Sequence, residues 1–190
     1  MSDSNNENTY DLSIFDKKEY LFELDSSCSI NAEINFSVHC YTEEWKNGDS
    51  TEDIIKDNYG NSRSFCPIRY EYALKSISQI DQWLNNACIR SKDAKRGNEH
   101  WLLIEDVNGQ QGKIAFSIKK HTDTKKVNGI WMSIKTIHPY DKSTPPDLSV
   151  TAQTPFKKLT KAVGVFNTKP SEITLRVPKK LQLPTKTTES

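Results

Sequence analysis

The segment from residue 63 to residue 70 (R-S-F-C-P-I-R-Y) has the highest density of chemically capable side chains in this chain. Arg63 and Arg69 provide guanidinium forks, which suit carboxylates and phosphates, and Phe65 and Tyr70 supply aromatic rings beside them. RNA-recognition surfaces use arginine and aromatic residues together to hold a phosphate and stack a base. Alternatively, the arginines pair with acidic groups in the first third of the chain and Tyr70 packs against a sheet. Both interpretations stay open.

A second set of chemical groups follows from strand alternation. Apolar residues at every second position predict strands over residues 34–41, 113–120 and 130–138. If a helix covers the apolar face, the opposite face carries a histidine, a phenol, hydroxyls and lysines. These residues are Ser37, His39, Tyr41, Lys113, Ser117, Lys119, Ser133 and Lys135.

Such a face can bind a phosphodiester and cleave it by acid–base chemistry. His39 would carry the proton, and Lys119 and Lys135 would stabilise negative charge. Tyr41 would join Arg63, Arg69 and Tyr70 as binding residues. The alternative is the ordinary polar, water-facing side of an antiparallel sheet.

Several function classes lack their signatures. The sequence contains no G-x-x-x-x-G-K-[ST], G-x-G-x-x-G, H-E-x-x-H or G-x-S-x-G motif, which disfavours P-loop, dinucleotide, zinc-protease and α/β-hydrolase chemistry. Cys28, Cys40, Cys66 and Cys88 form no C-x-x-C pair, so we expect reduced cysteines and no metal. His39 and Cys40 are neighbours and would point to opposite faces of a strand, which excludes a dyad there. No cofactor is expected.

Charge is distributed unevenly along the chain. Residues 1–60 contain 4 Lys/Arg and 14 Asp/Glu, whereas residues 121–190 contain 12 and 5. This gradient is compatible with a side that faces nucleic acid, or with two ends that attract each other within one fold. Apolar runs are only a few residues long and the first residues are polar, so we expect neither a membrane span nor a signal peptide, and a cytoplasmic location.

The order of elements predicts an α+β fold. Apolar residues at spacings of three and four predict one amphipathic helix of some five turns from Pro67 to Cys88. Strands before and after it predict an antiparallel sheet of about five to six strands packed against this one main helix. We expect a disordered N-terminus over 1–9, a single domain over 10–142, and a partly ordered, proline-punctuated basic C-terminal extension over 143–190, with a short strand near 173–177.

A helix followed by a three-strand meander ending in M-S-I-K-T-I-H-P (residues 132–139) resembles the barnase/EndoU/colicin E5/RelE-type nuclease group over residues 63–140. The resemblance implies metal-free catalysis by basic and hydroxyl side chains on the exposed sheet face. His39, Lys119, Lys135 and Arg69 would occupy comparable surroundings. The V-H-C-Y-T and R-S-F-C-P-I-R-Y segments are also similar to those of short uncharacterised bacterial or phage proteins.

The resulting hypothesis is a small cytoplasmic protein of toxin or mobile-element type that cleaves or binds RNA. Cleavage would proceed by attack of the ribose 2′-hydroxyl on the adjacent phosphate. The alternative is a non-enzymatic immunity or inhibitor protein whose acidic N-terminal third binds a protein partner. A third hypothesis is a nucleic-acid-binding module without catalysis, whose affinity would fall steeply with salt.

Overall fold

The computed structural model describes residues 10–49, 54–90, 99–105, 108–122, 128–139 and 153–173. The predictions of a disordered segment over 1–9 and of a strand continuing past residue 173 lie outside the described residues. None of the helices in the described ranges is long and apolar enough to cross a membrane.

The described residues are mostly β structure. The strands are β1 (Lys18–Asp25), β2 (Cys28–Phe36), β3 (Thr42–Glu44), β4 (Ile55–Lys56), β5 (Ser62–Phe65), β6 (Ala87–Arg90), β7 (Glu99–Glu105), β8 (Gln111–Lys120), β9 (Gly129–Pro139) and β10 (Gln153–Pro155). The helices are α1 (Pro67–Ile77) and α2 (Phe156–Gly164). Short 3-10 helices span Leu12–Phe15, Val38–Cys40, Ile80–Asn85 and Pro170–Glu172.

Seven strands form one large sheet in the order β1-β2-β9-β8-β7-β6-β10, which curls into a half-barrel. All neighbours pair antiparallel except β2 and β9, which run parallel with Ile34 opposite Met132. The remaining three strands form a small antiparallel sheet in the order β3-β5-β4. The two sheets are joined in sequence by the 3-10 turn Val38–Cys40, which follows β2.

One hydrophobic cluster joins the apolar face of the large sheet to both helices. The alternating residues of β8 and β9 that the sequence predicts to share this face are buried: Ile114, Phe116, Ile118, Met132 and Ile134. α2 contributes Phe156, Leu159 and Val163, whose spacing of three and four places them on one side of the helix. Helix α2, although it falls in the range predicted as a partly ordered extension, therefore packs into the core of the fold.

The predicted fold class is wrong. Helices and sheets are both present, but the structure has a mixed seven-stranded sheet, a second sheet and two helices, rather than one antiparallel sheet against one main helix. The parallel β2–β9 pair joins segments about a hundred residues apart. Local alternation predicts that each segment is a strand, but it carries no information about which strand lies beside it.

The predicted five-turn helix is also wrong in length. α1 begins at Pro67 as predicted but ends at Ile77, and a 3-10 helix and then strand β6 follow. Ile80 and Leu84 lie in the 3-10 helix and Cys88 lies in β6, and all three are buried. The spacing of three and four from Ala73 to Cys88 runs through three successive elements, because each of them turns its apolar residues toward the core although only the first is an α-helix.

Candidate functional site

An open cleft of about 540 Å³ lies between the small sheet, the first turns of α1 and the polar face of the large sheet. Its walls carry four cations, two carboxylates and two imidazoles. These side chains are Arg63, Arg69, Lys113, Lys135, Glu44, Glu99, His39 and His138. Such a composition favours an anionic ligand and includes two imidazoles, the side chains that most often act as general acid or base.

The two arginines of the cleft are anchored on one residue. Arg63 on β5 donates from Nε to Thr42 Oγ1 at 2.8 Å and from Nη2 to Thr42 O at 3.3 Å. Arg69 in α1 donates from Nη1 to Thr42 O at 2.9 Å and to His39 O at 3.5 Å. Burial, followed by the neighbouring charge of Arg69, lowers the pKa of Arg63. Two like charges are thus held close together at the edge of the cleft.

His39 is oriented by a buried carboxylate. Its Nε2 lies 3.2 Å from Oδ2 of Asp57, whose side chain is only 3% exposed. The backbone N–H groups of Tyr59 and Asn61 and the side-chain amide of Asn61 donate to the same carboxylate. Chiefly through the side chain of Asn61, these bonds hold the pKa of Asp57 well below its usual range. The ionised carboxylate can only accept, so Nε2 carries a proton and Nδ1 is the nitrogen left for proton exchange.

His138 is held in the opposite tautomer. Its Nδ1 lies 2.9 Å from Pro139 O, and a carbonyl oxygen can only accept, so Nδ1 donates and Nε2 keeps its lone pair. Burial lowers the pKa of His138, and the charges of Lys113 and Arg69 act in the same direction. His138 is therefore neutral at pH 7 and can accept a proton at Nε2.

A β-bulge in β9 places His138 at the cleft. Ile134 pairs with Phe116 and Thr136 pairs with Ala115, so Lys135 is an extra residue in β9. Beyond a bulge, side chains that strict alternation assigns to one face appear on the other. Lys135 itself lines the cleft.

Sequence reasoning missed His138 for this reason. Continuing the alternation of Met132 and Ile134 places residue 138 on the apolar face, and the sequence alone favours a turn feature there. In the structure Ile137 is fully buried instead, and His138 lines the cleft. The step of three from Ile134 to Ile137 is the signal that predicts the bulge.

Glu99 lies on the polar face of the large sheet, beside the bulge, and lines the cleft. It is 5% exposed, accepts a hydrogen bond from Trp101 Nε1 at 2.8 Å, and lies 3.3 Å from Lys135 Nζ. The carboxylate therefore holds Lys135 and Trp101 in place at one end of the cleft.

The model of the YjaZ family matches residues 3–164. The chain belongs to the YjaZ family. No curated protein and no solved structure matches it. The range shared with the YjaZ family contains every cleft residue named above.

Four of the seven site residues predicted from sequence line the cleft of this YjaZ-family chain: His39, Arg63, Arg69 and Lys135. The backbone conformation that places His39 in the cleft is not the one that the sequence predicts. The strand expected over 34–41 ends at Phe36, and Ser37 caps the 3-10 turn Val38–Cys40 by accepting from His39 N. The prediction that His39 lies on the polar face of a strand is therefore wrong.

The other three predicted residues lie outside the cleft. Lys119 shares a face of β8 with Lys113 but is roughly 20 Å away along the strand, and its Nζ lies 4.4 Å from the Trp131 ring centroid. Tyr70 is 6% exposed and donates to Asp11 O, and the Tyr41 ring lies 4.6 Å from that of Phe15. The two tyrosines belong to an aromatic cluster rather than to the cleft wall.

Among the described ranges, no group of three or more His, Cys, Asp or Glu side chains is arranged to hold a metal ion. The four cysteines are free, and burial raises the pKa of Cys40 to about 12 and also raises that of Cys88. The thiols of Cys40 and Cys88 are therefore protonated at neutral pH, which makes these two residues poor ligands and nucleophiles.

Proposed function

We propose that the protein is a metal-independent endoribonuclease whose active site is the basic cleft. The observation that carries the proposal is the pairing of two differently held histidines with cations in one cleft. His39 has its Nε2 proton on Asp57, and His138 has its Nδ1 proton on Pro139 O. One imidazole can give a proton while the other takes one, as in-line phosphodiester cleavage requires.

The cations supply the binding energy for a phosphate. Arg63 and Arg69 bring planar guanidinium groups, which pair with phosphate oxygens through two parallel hydrogen bonds. Lys113 and Lys135 approach from the large sheet on the other side of the cleft. Charge that develops on the phosphorane oxygens would meet donors that are already in position, which is the largest source of stabilisation in such reactions.

The tautomers of the two histidines assign each of them a role in the reaction. His138 Nε2 takes the proton of the ribose 2′-hydroxyl, and the 2′-oxygen forms a bond to the adjacent phosphorus. The bond from phosphorus to the 5′-oxygen breaks, and His39 Nδ1, protonated at the start, gives its proton to that leaving oxygen. The products are a 2′,3′-cyclic phosphate and a 5′-hydroxyl, with no change of oxidation state. Asp57 accepts a hydrogen bond from His39 Nε2 and orients the ring for the transfer.

The test is incubation of the purified protein with single-stranded RNA in EDTA. We expect cleavage, and we expect His39→Ala and His138→Ala each to reduce its rate by about 10²–10⁴-fold. His121→Ala is the matched control, because His121 contacts Glu33 and does not line the cleft. The same sequence as DNA should stay intact because it lacks the 2′-hydroxyl. Equal rates in wild type and both cleft variants would refute the assignment.

A second candidate is a non-enzymatic interaction protein. The observation that favours it is on β1, the edge strand of the large sheet, where Leu21 is 52% exposed between the exposed Glu19 and Glu23. An acidic edge with a central apolar residue fits a basic partner strand. Asp25, at the end of the same strand, lies 3.0 Å from Lys161 Nζ. A folded protein that leaves RNA intact but binds a basic partner, and loses it in Glu19→Lys/Glu23→Lys, would favour this candidate.

A further inference from the structure

We infer that the polar face of the large sheet next to the cleft is a binding track for single-stranded RNA, with Trp101 and Trp131 as base-stacking platforms. The inference rests on the proposed function, because it extends the RNA substrate beyond the scissile phosphate. Neither tryptophan belongs to the hydrophobic core: both are half-buried and lie on the polar side of the sheet.

A lysine ammonium group lies over the indole ring of each tryptophan. Lys113 Nζ lies 4.0 Å from the Trp101 ring centroid, and Lys119 Nζ lies 4.4 Å from that of Trp131. A ring face beside an ammonium group matches the two parts of a nucleotide, since the base can stack on the indole while the lysine moves to the phosphate. Proteins that bind single strands combine these same two features.

The register of the sheet sets the spacing of the two platforms. Trp101 on β7 lies opposite Ala115, and Trp131 on β9 lies opposite Lys119, on the two sides of β8. Four residues along β8 and two strand spacings across it separate the indoles by about 16 Å. Ser117 and Ser133 pair with each other between the two indoles, so the side chains between the rings are small. Several nucleotides of an extended strand fit this span.

The track is continuous with the cleft. Trp101 Nε1 donates to Glu99, and Lys113 Nζ lies over the Trp101 ring. Glu99 and Lys113 both line the cleft. A base next to a phosphate held by the arginines would therefore reach Trp101 first and Trp131 further along. The ring faces suit an unpaired strand, because a duplex keeps its bases stacked on one another.

The test is fluorescence anisotropy with a labelled oligouridylate that carries 2′-O-methyl riboses, which cannot be cleaved. We expect Trp101→Leu and Trp131→Leu each to raise Kd about tenfold, whereas Trp101→Phe and Trp131→Phe, which keep an aromatic face, stay within about threefold of wild type. Lys157→Ala, which removes an exposed lysine on α2, should bind like the wild type. Lys119→Ala should weaken binding and reduce the slope of log K against log salt by about one.

The outcomes separate the two proposals. Tryptophan-dependent binding of the methylated strand without cleavage of ordinary RNA would support the track and refute the catalytic assignment. Histidine-dependent cleavage with Kd unchanged in both leucine variants would refute the track alone, and so would absence of binding to the methylated strand. If a leucine variant fails to fold, the Lys119→Ala variant provides the test instead. A slope of log K against log salt equal to that of the wild type would then refute the track.

Discussion

Arg63 and Arg69 donate to the same carbonyl oxygen, that of Thr42, at 3.3 and 2.9 Å. Thr42 is fully buried, so both guanidinium groups are held at a fixed place although their charges repel each other. An anion placed between them would relieve this repulsion. The proposed phosphate would therefore gain binding energy at this position.

We expect inorganic phosphate to raise the melting temperature. A ligand that binds only the folded state stabilises it by about 2.7 kcal/mol at a hundred times its Kd. Differential scanning fluorimetry in phosphate, against chloride of equal ionic strength, measures the shift. Arg69→Ala should abolish most of it, whereas Lys157→Ala, an exposed lysine on α2, should preserve it. An equal shift in both variants would show that phosphate acts elsewhere.

The pKa of His138 should lie below the ordinary histidine value of about 6.5. Burial is the main cause, and the charge of Lys113 contributes. Lys113→Ala should therefore move the pKa upward, toward 6.5. Titration of the imidazole carbon-bound protons by NMR measures both values. The acid limb of the cleavage profile should follow the same pKa, because protonation of Nε2 removes the proposed base; a midpoint above 6.5 would contradict this.

Asp57 should make stability depend on pH in the acid range. Its folded-state pKa is depressed, so the unfolded chain binds more protons as the pH falls. Its contribution is complete above about pH 5, and is lost as the pH falls below the ordinary carboxyl value of about 3.9 toward the folded-state pKa. Asp57→Asn should lower the urea midpoint at pH 7, and the difference from wild type should shrink at pH 3.

The matched control for this experiment is Asp16→Asn, because Asp16 is exposed and follows the 3-10 helix Leu12–Phe15 away from the cleft. It should change the urea midpoint little at either pH. If the Asp57→Asn deficit were the same at pH 3 and pH 7, the ionised carboxylate would not be the stabilising species.

Gly112 should not tolerate a side chain. A Cβ at this position would collide with the Tyr72 hydroxyl and lie 2.7 Å from His138 O. Gly112→Ala should therefore destabilise the fold by about 1–3 kcal/mol and disturb the cleft through His138. Tyr72→Phe removes the colliding oxygen, so the double variant should recover part of the loss. Urea unfolding of the two single variants and the double variant measures the coupling, and strict additivity would contradict the collision.

The bulge at Lys135 should be essential to the site. Deleting Lys135 would restore regular alternation in β9 and exchange the faces of Ile137 and His138, which would bury an imidazole and expose an isoleucine. We expect the deletion to destabilise the protein by several kcal/mol, the cost of a polar group in the core together with a lost apolar one. Lys135→Ala keeps the bulge and should cost far less. Thermal unfolding compares the two, and equal losses would refute the role of the bulge.

The sequence alone determined the parts of the fold that depend on local periodicity. The apolar residues of β8 and β9, such as Phe116 and Ile134, were predicted on the buried face, and both are fully buried. The start of α1 at Pro67 was predicted as well, because proline suits the first turn of a helix. These features follow from side-chain alternation and backbone restriction within a few residues.

Only the tertiary structure decided the composition of the cleft. His39 meets Asp57 across 18 residues, Arg69 meets the Thr42 carbonyl across 27, and neither contact leaves a pattern in the sequence. The parallel pairing of β2 with β9 and the bulge at Lys135 determine which polar side chains face one another. Strand register and pairing are set by the packing of the whole core, so chemistry that depends on them is settled only when the chain is folded.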